Sequence, residues 1–409
     1  MNLLYNNEYE RVLAESNINE YIIDDLGNKW IDATSGGFAV TNGYRINEFK
    51  DAVVEVLDSI GECHHFQHTH KYGKKLIDTL NRHEIYKNFY GDVITVGSAS
   101  DAMELALKVT LKKHILEKNY RRIKFISRDK SYYGGTTGCM KIGDRGSYKD
   151  YFRHIYNDSI QFKAPIGGIS EEESINDLLY QINKYGSENI AGIILELIPS
   201  TSCGVYVPSV IYNKTIYDIA LSYSIPLIVD DVVTNSGRIG YVSACDYYKI
   251  YPDIIIQGKG ISNGIIPVGA SIFKNNFLNV FREENENISV SFTAMNNPIN
   301  CNVWSSILNY ILDNNVLEKV IKNEKIISNE ISELKQRYRI DHIGYFMGID
   351  VPASKYSDIL KAFNDNKIFV FKGESQNKRF KNIVFAWPLC SDINNIKLTI
   401  DILKQYLLV

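Results

Sequence analysis

Residues 225–260 read IPLIVDDVVTNSGRIGYVSACDYYKIYPDIIIQGKG, and the fold follows from how this stretch is punctuated. Two short apolar runs, 225–230 and 253–257, carry few polar residues in alternation, the pattern of strands covered on both faces. The first ends in Asp230-Asp231 and the second in Gly258-Lys259-Gly260. A carboxylate at the tip of a buried strand costs free energy unless a charged partner meets it. A lysine drawn out of water loses its proton more readily and can form an imine. Taken singly, the acids also read as a helix cap or surface charge, and Lys259 as a loop lysine.

Working outward, further β-branched runs lie at 93–97, 123–127, 190–197 and 268–273, with helical spacing at 101–118 and 209–223 between them. Alternation of this kind predicts an α/β fold with a mainly parallel sheet covered on both faces. Residues 20–34 read as a hairpin, and 46–60, 71–82, 302–338 and 392–407 as helices. Residues 341–409 otherwise mix short strands with that final helix. In such sheets ligands bind beyond the carboxyl ends of the strands. The segments just after each strand are therefore the ones to read for chemistry.

Three of them complete a set. Gly97-Ser98-Ala99-Ser100-Asp101 joins a strand to a helix, where free N–H groups and the helix dipole favour an anion such as a phosphate. Plain N-capping by Ser100, with Asp101 in the first turn, is the alternative. Ser131-Tyr132-Tyr133-Gly134-Gly135 offers an aromatic ring for stacking, although 28 tyrosines in the chain make core or surface Tyr the default. A phosphate seat, a ring, a carboxylate and a lysine at one sheet edge are what pyridoxal 5′-phosphate (PLP) requires.

Composition narrows the class. The chain has 409 residues, enough for two or three lobes, with 45% hydrophobic and 23% charged residues. A net charge of −3 provides no field for nucleic acid, and no apolar run reaches the length of a membrane helix. Six scattered cysteines form no CxxC pair, which together with a charged N-terminus predicts a cytoplasmic protein.

With those residues in view, the chain resembles the class III aminotransferases of PLP fold type I, with a mainly parallel sheet in a large domain and a smaller α+β domain. IVDDVVTNSGRIGY (228–241), GSASDAMELALK (97–108), SYYGGTTG (131–138), LELIPSTSCGVYVP (195–208), PDIIIQGKGISNGIIPVGA (252–270) and FTAMNNPINC (292–301) match family motifs in order. The resemblance implies a large domain over 46–295 and a small domain built from 1–45 and 296–409. It implies Lys259 as the Schiff-base lysine and Asp230 as partner of the pyridine nitrogen. Val232 and Tyr132 would flank the ring, and Ser98, Ala99 and Ser100 would bind the phosphate. Thr293 would reach the phosphate of a neighbouring subunit, which implies a homodimer with shared sites. Glu196 and Tyr133 would lie on the substrate side. The implied partners are a small-molecule amine donor and a carbonyl acceptor.

Departures from the family pattern carry information. Asp231 stands for Glu, Leu197 for Pro, and Val384 for an arginine that binds α-carboxylates in the ornithine type, which argues against standard handling of 2-oxoglutarate. The amine:pyruvate and diaminopelargonate types place an arginine slightly earlier, which makes Arg379 or Lys378 a candidate carboxylate clamp, with a solvated surface pair as the alternative. Gly43-Tyr44 and residues 243–254 lean toward the diaminopelargonate and ω-amine:pyruvate groups. A PLP epimerase, aminomutase or decarboxylase is the alternative on the same scaffold. A dehydrogenase would need a G-x-G-x-x-G that is missing after the strands. No acidic or cysteine partners complete an obvious ligand set with His64, His65, His68 and His70, so these read as structural or substrate-contact histidines and no metal is expected.

Overall fold

The computed structural model describes residues 12–63, 67–145, 150–152 and 159–408. Its strands are β1 (Ala14–Ile18), β2 (Tyr21–Asp24), β3 (Lys29–Asp32), β4 (Tyr90–Val96), β5 (Lys124–Arg128), β6 (Ile160–Phe162), β7 (Ile190–Glu196), β8 (Leu227–Asp230), β9 (Ile254–Gly258), β10 (Gly269–Lys274), β11 (Ile340–Ile343), β12 (Phe346–Pro352), β13 (Ile368–Phe369), β14 (Phe371–Gly373) and β15 (Phe380–Ala386). The main helices are α1 (Asn47–Leu57), α2 (Lys71–Leu80), α3 (Ala99–Leu116), α4 (Glu171–Tyr185), α5 (Val210–Ser222), α6 (Pro298–Asp313), α7 (Val316–Glu330), α8 (Ala353–Asp365) and α9 (Ile393–Leu407).

Seven strands form one sheet in the spatial order β4-β10-β9-β8-β7-β5-β6. The pairs β5–β6, β5–β7, β7–β8 and β8–β9 are parallel. Only β10 is reversed, running antiparallel to β9 and to β4. All seven residues of β7 are buried, because helices lie on both sides of the sheet, and this explains the unbroken apolar reading. The expected strands are present. β6 was not expected, since three residues are too short to show a period.

Segments from the N-terminal and C-terminal parts of the described chain meet in the second body. β1, β2 and β3 form a meander, and β3 pairs in parallel with β13, Ile31 beside Ile368. The hairpin turn is fastened by Asp24, which accepts the Asn28 N–H at 2.7 Å and the Trp30 Nε1–H at 2.9 Å. A four-stranded antiparallel sheet, β11-β12-β15-β14, packs against α8. The segment 302–338, read as one helix, breaks at Asn314-Asn315, where Asn315 turns left-handed (φ 52°). α6 joins the two bodies. Cys301, Trp304 and Leu308 enter the core around the large sheet, while Val303, Ile307 and Ile311 enter the other. Among the described residues no helix is long and apolar enough to cross a membrane.

Candidate functional site

Parallel register brings the chemistry to one edge. Glu196, the last residue of β7, lies directly beside Asp230, the last residue of β8, and Asp230 is in turn paired with Ile256 of β9. Two strands thus deliver carboxylates side by side, and the third runs on two residues beyond its neighbours' pairing into Gly258 and then Lys259. Neighbouring strand residues point to opposite faces. Asp230 accordingly lines the cleft, while Asp231 turns inward and is fully used. It accepts from Thr234 Oγ1 (2.6 Å), Ala244 N (3.2 Å) and Gln257 Nε2 (2.9 Å).

Lys259 occupies a left-handed conformation (φ 49°), uncommon for a residue with a side chain and typical of functional turns. Its flanking glycines serve the protein's own packing. A Cβ on Gly258 would stand 2.8 Å from Ala99 Cβ, and one on Gly260 would stand 2.8 Å from Ser236 Cβ and from Thr41 Oγ1. The close approach they permit is therefore of the 97–100 and 235–236 loops to the lysine turn.

Lys259, Asp230, Glu196, Ser98, Ala99, Ser100, Tyr132, Tyr133 and Val232 all line one cleft of about 440 Å³. Sequence reasoning thus placed nine residues there. The cap of α3 is Ser98, whose Oγ accepts the Asp101 N–H (3.1 Å). Ser100 is thereby freed from capping, and its Oγ accepts the Gly135 N–H (3.2 Å). Tyr133 is buried and its hydroxyl donates to the Ile194 carbonyl (3.2 Å), so it gives the cleft a wall and no free hydroxyl.

Burial dominates the electrostatics. Desolvation, with the charge of Asp230 adding to it, pushes the Glu196 carboxyl up, and desolvation likewise pushes Asp230 up. Desolvation lowers Lys259, against the pull of Asp230 and Glu196. Glu196 Oε2 is buried without a hydrogen-bond partner. The three groups together sit closer to their neutral forms than in water, and a ligand that brings positive charge to Asp230 relieves part of that cost. A protonated pyridine nitrogen is such a ligand. The first-turn N–H groups of α3 suit a phosphate, and the half-buried Tyr132 ring suits a planar group. The residues present therefore fit PLP.

Other expected residues lie elsewhere. Thr293 is exposed on the turn after Phe292 and does not line the cleft of its own chain. Lys378 and Arg379 stand exposed on the turn before β15, where the Arg379 carbonyl accepts the Ala353 N–H (2.9 Å), and neither lines the cleft. The arginine that does line it is Arg145, with Ser200, Thr201, Phe371 and the Gly37–Ala39 turn. Arg145 was missed because it comes after the helix Thr137–Ile142 and not directly after β5, outside the segments that the strand-end rule searches. That 35–41 segment is pinned by buried Arg238, whose Nη2 donates to the Phe38 carbonyl and to Thr41 Oγ1, both at 2.9 Å. In the histidine cluster, His64 and His65 lie outside the described residues. His68 is exposed, and His70 caps α2, accepting from Gly73 N at Nδ1 (3.0 Å) and meeting the Asn296 carbonyl at Nε2 (2.7 Å).

Comparison with known proteins accords with this geometry. The family described as aminotransferase class-III matches residues 4–407. An adenosylmethionine-8-amino-7-oxononanoate aminotransferase of Staphylococcus aureus is 24% identical, over 85% of this chain and 80% of its own. A beta-alanine–pyruvate aminotransferase of Pseudomonas aeruginosa is 25% identical, over 73% of this chain and 69% of its own. Among solved structures, a PLP-bound amine transaminase from an uncultivated Pseudomonas species superposes with a TM-score of 0.89 at 21% identity, covering 99% of this chain and 98% of that one. An ω-aminotransferase of Paracoccus denitrificans gives 0.88 at 20% identity, covering 99% and 96%.

Proposed function

The chain belongs to the class III aminotransferases and is a PLP-dependent enzyme moving an amino group between a small amine and a carbonyl compound, and from that premise we propose the part each cleft residue plays. The observation that carries the proposal is that Lys259, Asp230, Tyr132 and the N-terminus of α3 line the same cleft. Bound there, PLP supplies an aldehyde that takes up the donor's amino group and a pyridine ring that accepts electrons. Lys259 Nζ is the group that holds that aldehyde at rest. Once released, the same nitrogen removes the proton from the amine-bearing carbon of the donor, and burial, by lowering its affinity for a proton, favours the neutral form that can do so. Asp230 holds a proton on the ring nitrogen by charge and hydrogen bond. Ala99 and Ser100 bind phosphate through backbone N–H groups and, for Ser100, the hydroxyl. Tyr132 and Val232, both lining the cleft, would shield the ring from water. Glu196, with its burial-raised affinity for a proton, faces the substrate.

Family membership favours transamination over epimerisation, aminomutation and decarboxylation. Lys259→Ala is expected to remove turnover by at least about 10³-fold and to abolish the visible absorbance of lysine-bound cofactor. A variant that transaminates at the wild-type rate refutes the assignment.

Two further readings belong to the same proposal. Thr293, exposed and away from its own cleft, serves the cofactor phosphate of a second copy in a homodimer with shared sites. The six cysteines are free thiols, five of them buried, which suits the reducing cytoplasm.

A further inference from the structure

The paired register of β8 and β9 stops at Asp230 and Ile256, where the Asp231 N–H donates to the Ile256 carbonyl (2.9 Å). Beyond that point one chain turns through Asp230–Val232 and the other runs on to Gly258 and Lys259. Asn235, 2% exposed, bridges the two. Its Nδ2 lies 2.6 Å from the Asp231 carbonyl, 3.1 Å from the Val232 carbonyl and 3.2 Å from the Gly258 carbonyl. Carbonyls accept, and only the NH₂ side of the amide donates, so these contacts fix which way the amide faces. Its Oδ1 in turn accepts the Ser236 hydroxyl at 2.6 Å. Asn235 and Ser236 stand behind the cleft and do not line it.

Two of those carbonyls are one step from a group that meets the cofactor. Val232 gives its N–H to Asp230 Oδ1 (3.0 Å), so the residue whose carbonyl Asn235 holds is the one that orients the carboxylate. The Gly258 carbonyl belongs to the peptide that enters Lys259, whose φ of 49° persists only where its surroundings hold it. A buried carbonyl left unmet costs free energy, and one amide removes that cost on both sides. A ligand held at two points gains from both only where their separation is already right. We propose that Asn235 is a positioning residue that sets the spacing between the Asp230 carboxylate and the Lys259 amine, with Ser236 orienting its amide, so that one ligand meets both groups without either having to move. The inference rests on the cofactor reading of the cleft.

The test is a double-mutant cycle on PLP affinity, measured on the full chain by equilibrium dialysis in wild type, Asn235→Ala, Lys259→Ala and the double variant. The absorbance of lysine-bound cofactor is followed in the proteins that keep Lys259. Asn235→Ala is expected to weaken PLP binding roughly 10-fold where Lys259 is present, on the scale of one or two hydrogen bonds. In the Lys259→Ala background only one end holds the ligand and spacing no longer matters, so the same substitution is expected to change affinity by less than about twofold. A purely structural role would lower affinity by the same factor in both backgrounds, and thermal melts of the cofactor-free proteins report that cost separately. Losses that agree within about threefold between the backgrounds, or a loss below about threefold where Lys259 is present, overturn the proposal. Where Asn235→Ala yields no folded protein, Ser236→Ala carries the same cycle, since it removes the orienting bond and leaves the amide in place. Wild type that takes up no PLP, or takes it up without the absorbance of a lysine-bound form, instead defeats the cofactor reading beneath it.

Discussion

Replacing Asp230 by asparagine separates charge from shape at the end of β8. Asp230 Oδ1 accepts the Val232 N–H at 3.0 Å, a bond that the asparagine oxygen keeps. What changes is the other oxygen, which becomes an NH₂ donor. A protonated ring nitrogen needs an acceptor there, and a donor leaves it unprotonated. The loss of one charge-assisted hydrogen bond in a cleft shielded from water is worth about 1.5–3 kcal/mol. At about 1.36 kcal/mol per decade the rate falls on the order of 10²-fold. Stability moves the other way. Burial raises the proton affinity of Asp230 in the folded chain. As pH rises past the ordinary carboxylate range, the unfolded chain gives up this proton before the folded one does, so the native carboxylate lowers stability on the alkaline side. Asparagine has no proton to release. Urea unfolding of the cofactor-free protein at pH 8 should therefore show Asp230→Asn at least as stable as wild type, while single-turnover absorbance shows the slow reaction. A variant that binds cofactor and turns over within about threefold of wild type refutes the reasoning.

Gly134 holds φ 131°, and a Cβ there would stand 2.4 Å from Ser100 Oγ and 3.1 Å from Cys139 Sγ. Gly134→Ala should cost about 1–3 kcal/mol of stability and weaken cofactor retention, read by melts with and without added PLP. Burial lowers the affinity of His342 for a proton to about 4, with Nε2 at 2.8 Å from the Gly344 carbonyl. Its contribution is fully present above about pH 6.5 and is lost as pH falls toward about 4, because the unfolded chain protonates first. His342→Gln should flatten that acid slope by up to roughly 3 kcal/mol between pH 7 and 4.5 in denaturant titrations.

Strand runs, helical periods and the glycines around Lys259 are local properties, and they were legible. A strand covered on both faces is apolar along its length, as β7 and β8 are up to the acid that ends each, whatever the rest of the chain does. The strand-end rule then pointed at Asp230, Lys259 and the 97–100 loop without knowledge of register. The break at Asn314-Asn315 was not legible, because helical spacing continues through it and only the packing of α6 and α7 decides where the turn falls. Arg379 against Arg145 shows the same limit. Both are arginines outside the regular elements, and one enters the cleft where the chain leaves the helix Thr137–Ile142, while the other is carried out on the turn before β15.

By itself the amino-acid order determined the α/β class, the lysine and acid at the strand tips, and the cofactor those groups call for, since periodicity and strand ends are written in neighbouring residues. Tertiary structure decided which of Asp230 and Asp231 faces the cleft, that Glu196 stands next to Asp230, that Ser98 and not Ser100 caps α3, and that Arg145 shares the cleft with Glu374 nearby. Those outcomes depend on which distant segments are brought within a few ångströms, and burial then sets the protonation of each group.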